Sequence, residues 1–141
     1  MKAVKILWLD CYGREKFIER QGHEVLSLPT KRYSKFVLDS GVSSSFYNPP
    51  GLFLDHLETD AVELAREADC IVVGNNCGGG EKIAEILCRV GLKDKVVVVW
   101  NYYPARNETL FYESLGIHGF ASRVRGDSNL AEFLKSIKKT T

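Results

Sequence analysis

A three-layer α/β/α sandwich around a five-stranded, mainly parallel sheet is the fold this chain predicts, and three observations carry the prediction. Short apolar runs alternate with stretches of helical periodicity along the chain, the pattern of strand–crossover–strand units. The run Lys95-Val-Val-Val-Val-Trp100 is apolar without alternation, as a strand buried on both sheet faces should be. The stretch Cys70-Ile-Val-Val-Gly-Asn-Asn-Cys-Gly-Gly-Gly80, followed by Glu81-Lys-Ile-Ala-Glu-Ile-Leu87, reads as a buried strand, a polar glycine-rich loop and the start of a helix.

The elements follow in order. Val4–Leu9 is the first strand. Gly13–Gln21 is a short helix, stopped by Gly22 where a helix C-terminus prefers glycine. Glu24–Leu28 is the second strand, ended by Pro29. A helix from about Gly51 to Ala68 keeps Leu54, Leu57, Ala61, Leu64, Ala65 and Ala68 on one face. After the third strand, Cys70–Gly74, the helix Glu81–Val90 turns Ile83, Ala84, Leu87 and Val90 inward, and Gly91 ends it. Lys95–Trp100 is the fourth strand. A short helix Thr109–Leu115, ended by Gly116, leads to a fifth strand, Gly119–Arg123. The last helix carries Leu130, Phe133, Leu134 and Ile137 at i, i+3, i+4 and i+7.

Right-handed crossovers restrict such a chain to few topologies, and the usual one at this size is strand order 2-1-3-4-5, flavodoxin-like or Rossmann-like. There is no internal repeat and no composition break, so residues 1–141 read as a single α/β domain. Thr30–Pro50 lacks periodicity. A segment of that length is either a lid or binding loop, or a plain connector.

Lys and Arg total 19 against 18 Asp and Glu, a net charge of +1. A dedicated nucleic-acid surface needs a basic excess, so no nucleic-acid partner is expected. Lys135, Lys138 and Lys139 suit the last turn of a helix through its dipole. The run Ile6–Leu9 is too short for a signal-peptide core, and no run approaches the roughly 18 residues of a membrane span. The expectation is a cytoplasmic protein without membrane contact. Cys11, Cys70, Cys77 and Cys88 contain no CxxC pair, and no two histidines have ligand spacing, so no metal and no cofactor is expected. Cys70 and Cys88 fall on apolar elements and read as small buried hydrophobes.

In open α/β sheets ligands bind beyond the carboxyl ends of the strands, where the strand order reverses. Here those ends are polar: Asp10-Cys-Tyr12 after strand one, Asn75-Asn-Cys-Gly-Gly-Gly80 after strand three, Asn101-Tyr-Tyr103 and then Arg106 after strand four. Asp10, Tyr12, Asn75, Asn76, Asn101, Tyr102 and Tyr103 would line one crevice. Cys77, Gly78, Gly79 and Gly80 would lead into a helix N-terminus open to an anion. A nucleoside, nucleotide or sugar phosphate fits such groups. Asn and Gly after strands are also ordinary turn residues. Asp10 either serves a ligand or caps the helix that follows, and Glu81 equally suits a helix first turn. Cys11 and Cys77 fall on adjacent tips, and a thiol before a helix N-terminus has a lowered pKa, which admits a redox role.

Several families with this layout lack their signature here. A flavodoxin phosphate loop is rich in Ser, Thr and Gly, whereas Asp10-Cys-Tyr-Gly-Arg14 stands in its place. A cobalamin module has Asp-x-His-x-x-Gly there. A phosphorylatable receiver domain needs an acid at the end of strand three, and that tip is Gly74-Asn-Asn76. The chain more nearly resembles the nucleoside deoxyribosyltransferase-like group and the related phosphoribohydrolases. The resemblance lies in Arg20-Gln-Gly-His-Glu-Val-Leu-Ser-Leu-Pro29, in Glu67-Ala-Asp-Cys-Ile-Val-Val73, and in Gly78, Gly79 and Glu85, which match the spacing Gly-Gly-x-Gly-Thr-x-x-Glu. Glu81 and Lys82 replace that motif's Gly-Thr pair.

The resemblance implies cleavage or exchange of an N-glycosidic bond, with Glu85, or else Asp10 or Glu81, as the carboxylate beside an oxocarbenium-like centre. The expectation is therefore a small-molecule domain, with a homo-oligomer compatible with it. The alternative is a non-catalytic regulatory or protein-interaction module on a flavodoxin-like fold. A thiol role for Cys11 and Cys77 is the third reading.

Overall fold

A computed structural model describes residues 3–9, 15–26, 61–75, 80–100, 105–121 and 127–137. The described strands are β1 (Lys5–Leu9), β2 (Glu24–Val25), β3 (Cys70–Gly74), β4 (Val96–Trp100) and β5 (His118–Ala121). They form one sheet in the order β2-β1-β3-β4-β5, every neighbouring pair parallel. The described helices are α1 (Glu15–Arg20), α2 (Val62–Glu67), α3 (Gly80–Arg89), α4 (Arg106–Ser114) and α5 (Asp127–Ser136).

Side chains along a strand alternate between the two faces of the sheet, and the register aligns them across it. Leu7 pairs with Ile71 and Ile71 with Val96; one step on, Trp8 pairs with Val72 and Val72 with Val97. The first row belongs to a core with Ala65 of α2, Ile83 and Leu87 of α3, and Tyr112 of α4. The second packs with Ile18 of α1 and with Leu130 and Leu134 of α5. Of the described helices, three thus cover one face and two the other. All five residues of β3 are buried, which explains why its sequence is apolar without alternation.

Three helices end on the glycines that the sequence marks. Gly22, Gly91 and Gly116 have φ of 92, 85 and 78°. In each case the next N–H turns back five residues: His23 to the Ile18 carbonyl, Leu92 to Leu87 and Ile117 to Tyr112. This satisfies a last-turn carbonyl and turns the following side chain inward; Leu92 and Ile117 both join the core, and His23 is buried.

Some boundaries differ from expectation. α4 starts at Arg106 rather than Thr109 because the Glu108 carboxylate accepts the Ala105 N–H at 2.9 Å, extending the first turn backwards. β5 starts at His118, which pairs with Val97 of β4. The expected segment Thr30–Pro50 and the start of the helix at Gly51 lie outside the described residues. Among the described residues no helix is long and apolar enough to cross a membrane.

The amino ends of the strands are closed by side chains. Asp69 Oδ2 accepts the Lys5 N–H at 2.8 Å, and the Asp69 N–H returns a bond to the Lys5 carbonyl at 2.8 Å. Lys95 Nζ donates to the carbonyls of Arg66 and Ala68 at 2.9 and 2.8 Å, where a cation complements the end of α2. Burial, with Asp69 adjacent, pushes the Cys70 thiol up to about 12, so Cys70 is packing rather than chemistry.

His23 Nδ1 accepts the Val4 N–H at 3.2 Å, so the ring is neutral and its proton sits on Nε2. His23 is 5% exposed, and burial lowers its pKa below the ordinary 6.5. Below that value the unfolded chain binds a proton that the folded chain refuses. The stability associated with His23 is therefore full above about pH 6.5 and is lost as the pH falls through that value towards the folded pKa. Thermal melts at about pH 7.5 and about pH 5.5 should show the wild type losing more stability than His23→Asn, which keeps an acceptor for Val4 but does not titrate.

Candidate functional site

The carboxyl ends of β1, β3 and β4 lie side by side, with Leu9 paired to Val73 and Gly74 paired to Val99. This is the edge where an open α/β sheet presents a ligand site. Of the residues expected there, Asp10, Cys11, Tyr12, Asn76, Cys77, Gly78, Gly79, Asn101, Tyr102 and Tyr103 lie outside the described residues. Asn75, Gly80, Glu81, Glu85 and Arg106 are described. Glu81 and Arg106 are exposed, and Glu85 is half-buried in α3.

Asn75 follows the last residue of β3 and turns its amide to α4. Its Nδ2 donates to Glu108 Oε2 at 2.6 Å, and its Oδ1 accepts the Tyr112 hydroxyl at 2.5 Å. The pairing is chemically directed. A carboxylate can only accept, so it takes the amino edge of the amide and leaves the carbonyl oxygen for the phenol. Glu108 and Tyr112 are four residues apart on one helix and therefore share a face. The other Glu108 oxygen holds the Ala105 N–H. The Tyr112 ring is 1% exposed. It meets Trp100 of β4 edge-on, with centroids 5.5 Å apart at 83°, and Phe111 at 5.1 Å and 84°.

Glu108 and Tyr112 were not among the residues the sequence marks for the site. Their signal was the i, i+4 spacing, and an alanine at the helix N-cap hid the capping pattern that would have exposed it.

Gly80 has a steric reason for being glycine. A Cβ on it would lie 2.6 Å from the Gly74 carbonyl oxygen, with the Asn75 Cα at 3.4 Å. α3 therefore starts against the end of the strand it follows, and that packing alone requires a bare backbone. Among the described residues, no three His, Cys, Asp or Glu side chains gather as a metal site would require.

No protein-family profile matches the sequence, and comparison with characterised proteins finds no match. Among solved structures, the phosphorylated cyanobacterial phytochrome response regulator RcpA is similar. Its TM-score is 0.54 at 16% identity, and the match covers 96% of this chain and 91% of that one. Likeness at this identity speaks for the fold: an α/β, flavodoxin-like arrangement with a parallel sheet. It does not support the resemblance to the nucleoside deoxyribosyltransferase-like group, nor the nucleotide-binding, transferase and hydrolase expectations that came with it. The physical reason is that a glycine-rich loop followed by a glutamate one turn into a helix is what any strand–loop–helix passage can offer.

Gly80→Ala should destabilise the fold by about 1–3 kcal/mol, the cost of forcing a methyl group against a backbone carbonyl. Urea unfolding would show it as a lower midpoint with an unchanged slope.

Proposed function

We propose that this chain is a non-catalytic regulatory domain, one unit over residues 1–141, that acts through protein partners and without a phosphoryl acceptor at the β3 tip. The commitment of both polar ends of the Asn75 amide to α4 carries this reading. A strand-tip residue that would otherwise face a ligand is used to hold a helix. The likeness to a phosphorylated response regulator supports a regulatory role. An acyl phosphate needs a carboxylate, and the tip Gly74-Asn75-Asn76 has none.

A small-molecule site is the second reading, favoured by the adjacency of the β1, β3 and β4 ends. In it Asp10, Glu81 and Glu85 are the available carboxylates, and the ligand is a nucleoside, nucleotide or sugar phosphate.

A thermal-shift screen with those three compound classes separates the readings. A ligand at about 100 times its dissociation constant adds about 2.7 kcal/mol and raises the melting point by several degrees. The regulatory reading expects a flat screen, and also no phosphoryl adduct by intact mass after incubation with acetyl phosphate and Mg²⁺. A reproducible shift with one compound class would move the assignment to the small-molecule reading.

A further inference from the structure

We propose that Asn75 is a positioning residue that couples the β3 tip to α4, so that whatever engages its amide sets how firmly α4 is held. The inference rests on the regulatory reading above and names the element that responds.

The two helices beside the tip are anchored differently. α3 buries Gly80, Ile83, Ala84 and Leu87 along one stripe. α4 has one fully buried side chain, Tyr112. Its Arg106, Asn107, Leu110 and Glu113 are exposed, and Leu110, at 48%, is the exposed large hydrophobic residue among those described. A stripe of fully buried side chains therefore holds α3, whereas α4 packs through Tyr112 and the partly buried Phe111 and adds the polar link to Asn75. A hydrogen bond to a charged group, here Asn75 to Glu108, is stronger than a neutral one. Both amide ends are occupied by the same helix. Each end of the amide has room for a second hydrogen bond, so the coupling acts through a partner group that takes the place of Glu108 or Tyr112 on Asn75, and either exchange loosens α4 and the face that carries Leu110. Elements held by few buried apolar contacts are the ones that open locally.

The test is amide hydrogen exchange on the full chain, read helix by helix. Asn75→Asp sets a carboxylate against Glu108 while keeping an acceptor for Tyr112. α4 amides should exchange about tenfold faster at neutral pH, with α3 and α5 changed by less than about twofold. The difference, corrected for intrinsic exchange, should fade below about pH 5, where two facing carboxyl groups share a proton. The double variant Asn75→Asp, Glu108→Gln swaps donor and acceptor across the same pair. It should return α4 protection to within about twofold of wild type. Tyr112→Phe should speed α4 exchange about fivefold.

Equal acceleration of all helices, or a double variant no better protected than Asn75→Asp alone, would overturn the coupling. That failure is distinct from failure of the regulatory reading. A ligand hit in the thermal-shift screen removes the latter and leaves the exchange pattern as it is.

Discussion

β3 is paired along both edges and covered on both faces, and that confinement shapes what surrounds it. A strand with β1 on one side and β4 on the other cannot shift register without moving both ladders. Its residues alternate between two cores, Ile71 and Val73 into one, Cys70 and Val72 into the other. Helices must then cover both faces, and the chain must leave β3 at a defined point. The approach of α3 at that point is close enough that Gly80 has no room for a side chain.

The same exit point explains the placement of α4. Asn75 follows Gly74, the last residue of β3, which pairs with Val99, and an amide in a half-buried place needs hydrogen bonds. α4 supplies them through Glu108 and Tyr112. Glu108 also organises the first turn of its own helix through the Ala105 N–H, so one carboxylate starts the helix and fastens it. This is a different solution from α3, which is held by a stripe of apolar side chains. The difference bears on function, because polar links can be exchanged with a partner's groups and buried aliphatic contacts cannot.

The opposite end of the sheet is structural. Asp69, Lys95 and His23 each close a backbone group at a strand start or a helix end. They are titratable side chains of the kind that often mark an active site, yet each serves a backbone N–H or carbonyl at the edge away from the crevice. Their roles follow from the need to satisfy every buried backbone group.

The sequence by itself determined what depends on neighbours along the chain. The helix stops at Gly22, Gly91 and Gly116 were legible because a left-handed residue is a local requirement that glycine meets most easily. The parallel α/β character was legible because the apolar runs had to be buried on both faces. The spacing of Gly78, Gly79 and Glu85 was also local, and for that reason it pointed to a family that the solved-structure likeness does not support. What the tertiary structure decided was the use made of Asn75, Glu108 and Tyr112. Asn75 and Tyr112 are 37 residues apart, and no pattern within either segment says that they meet. Gly80 was visible as a glycine, but only the position of the Gly74 carbonyl shows why it must be one. Propensity and periodicity act over a few residues, whereas hydrogen-bond partners and steric limits are set by segments that the sheet brings together.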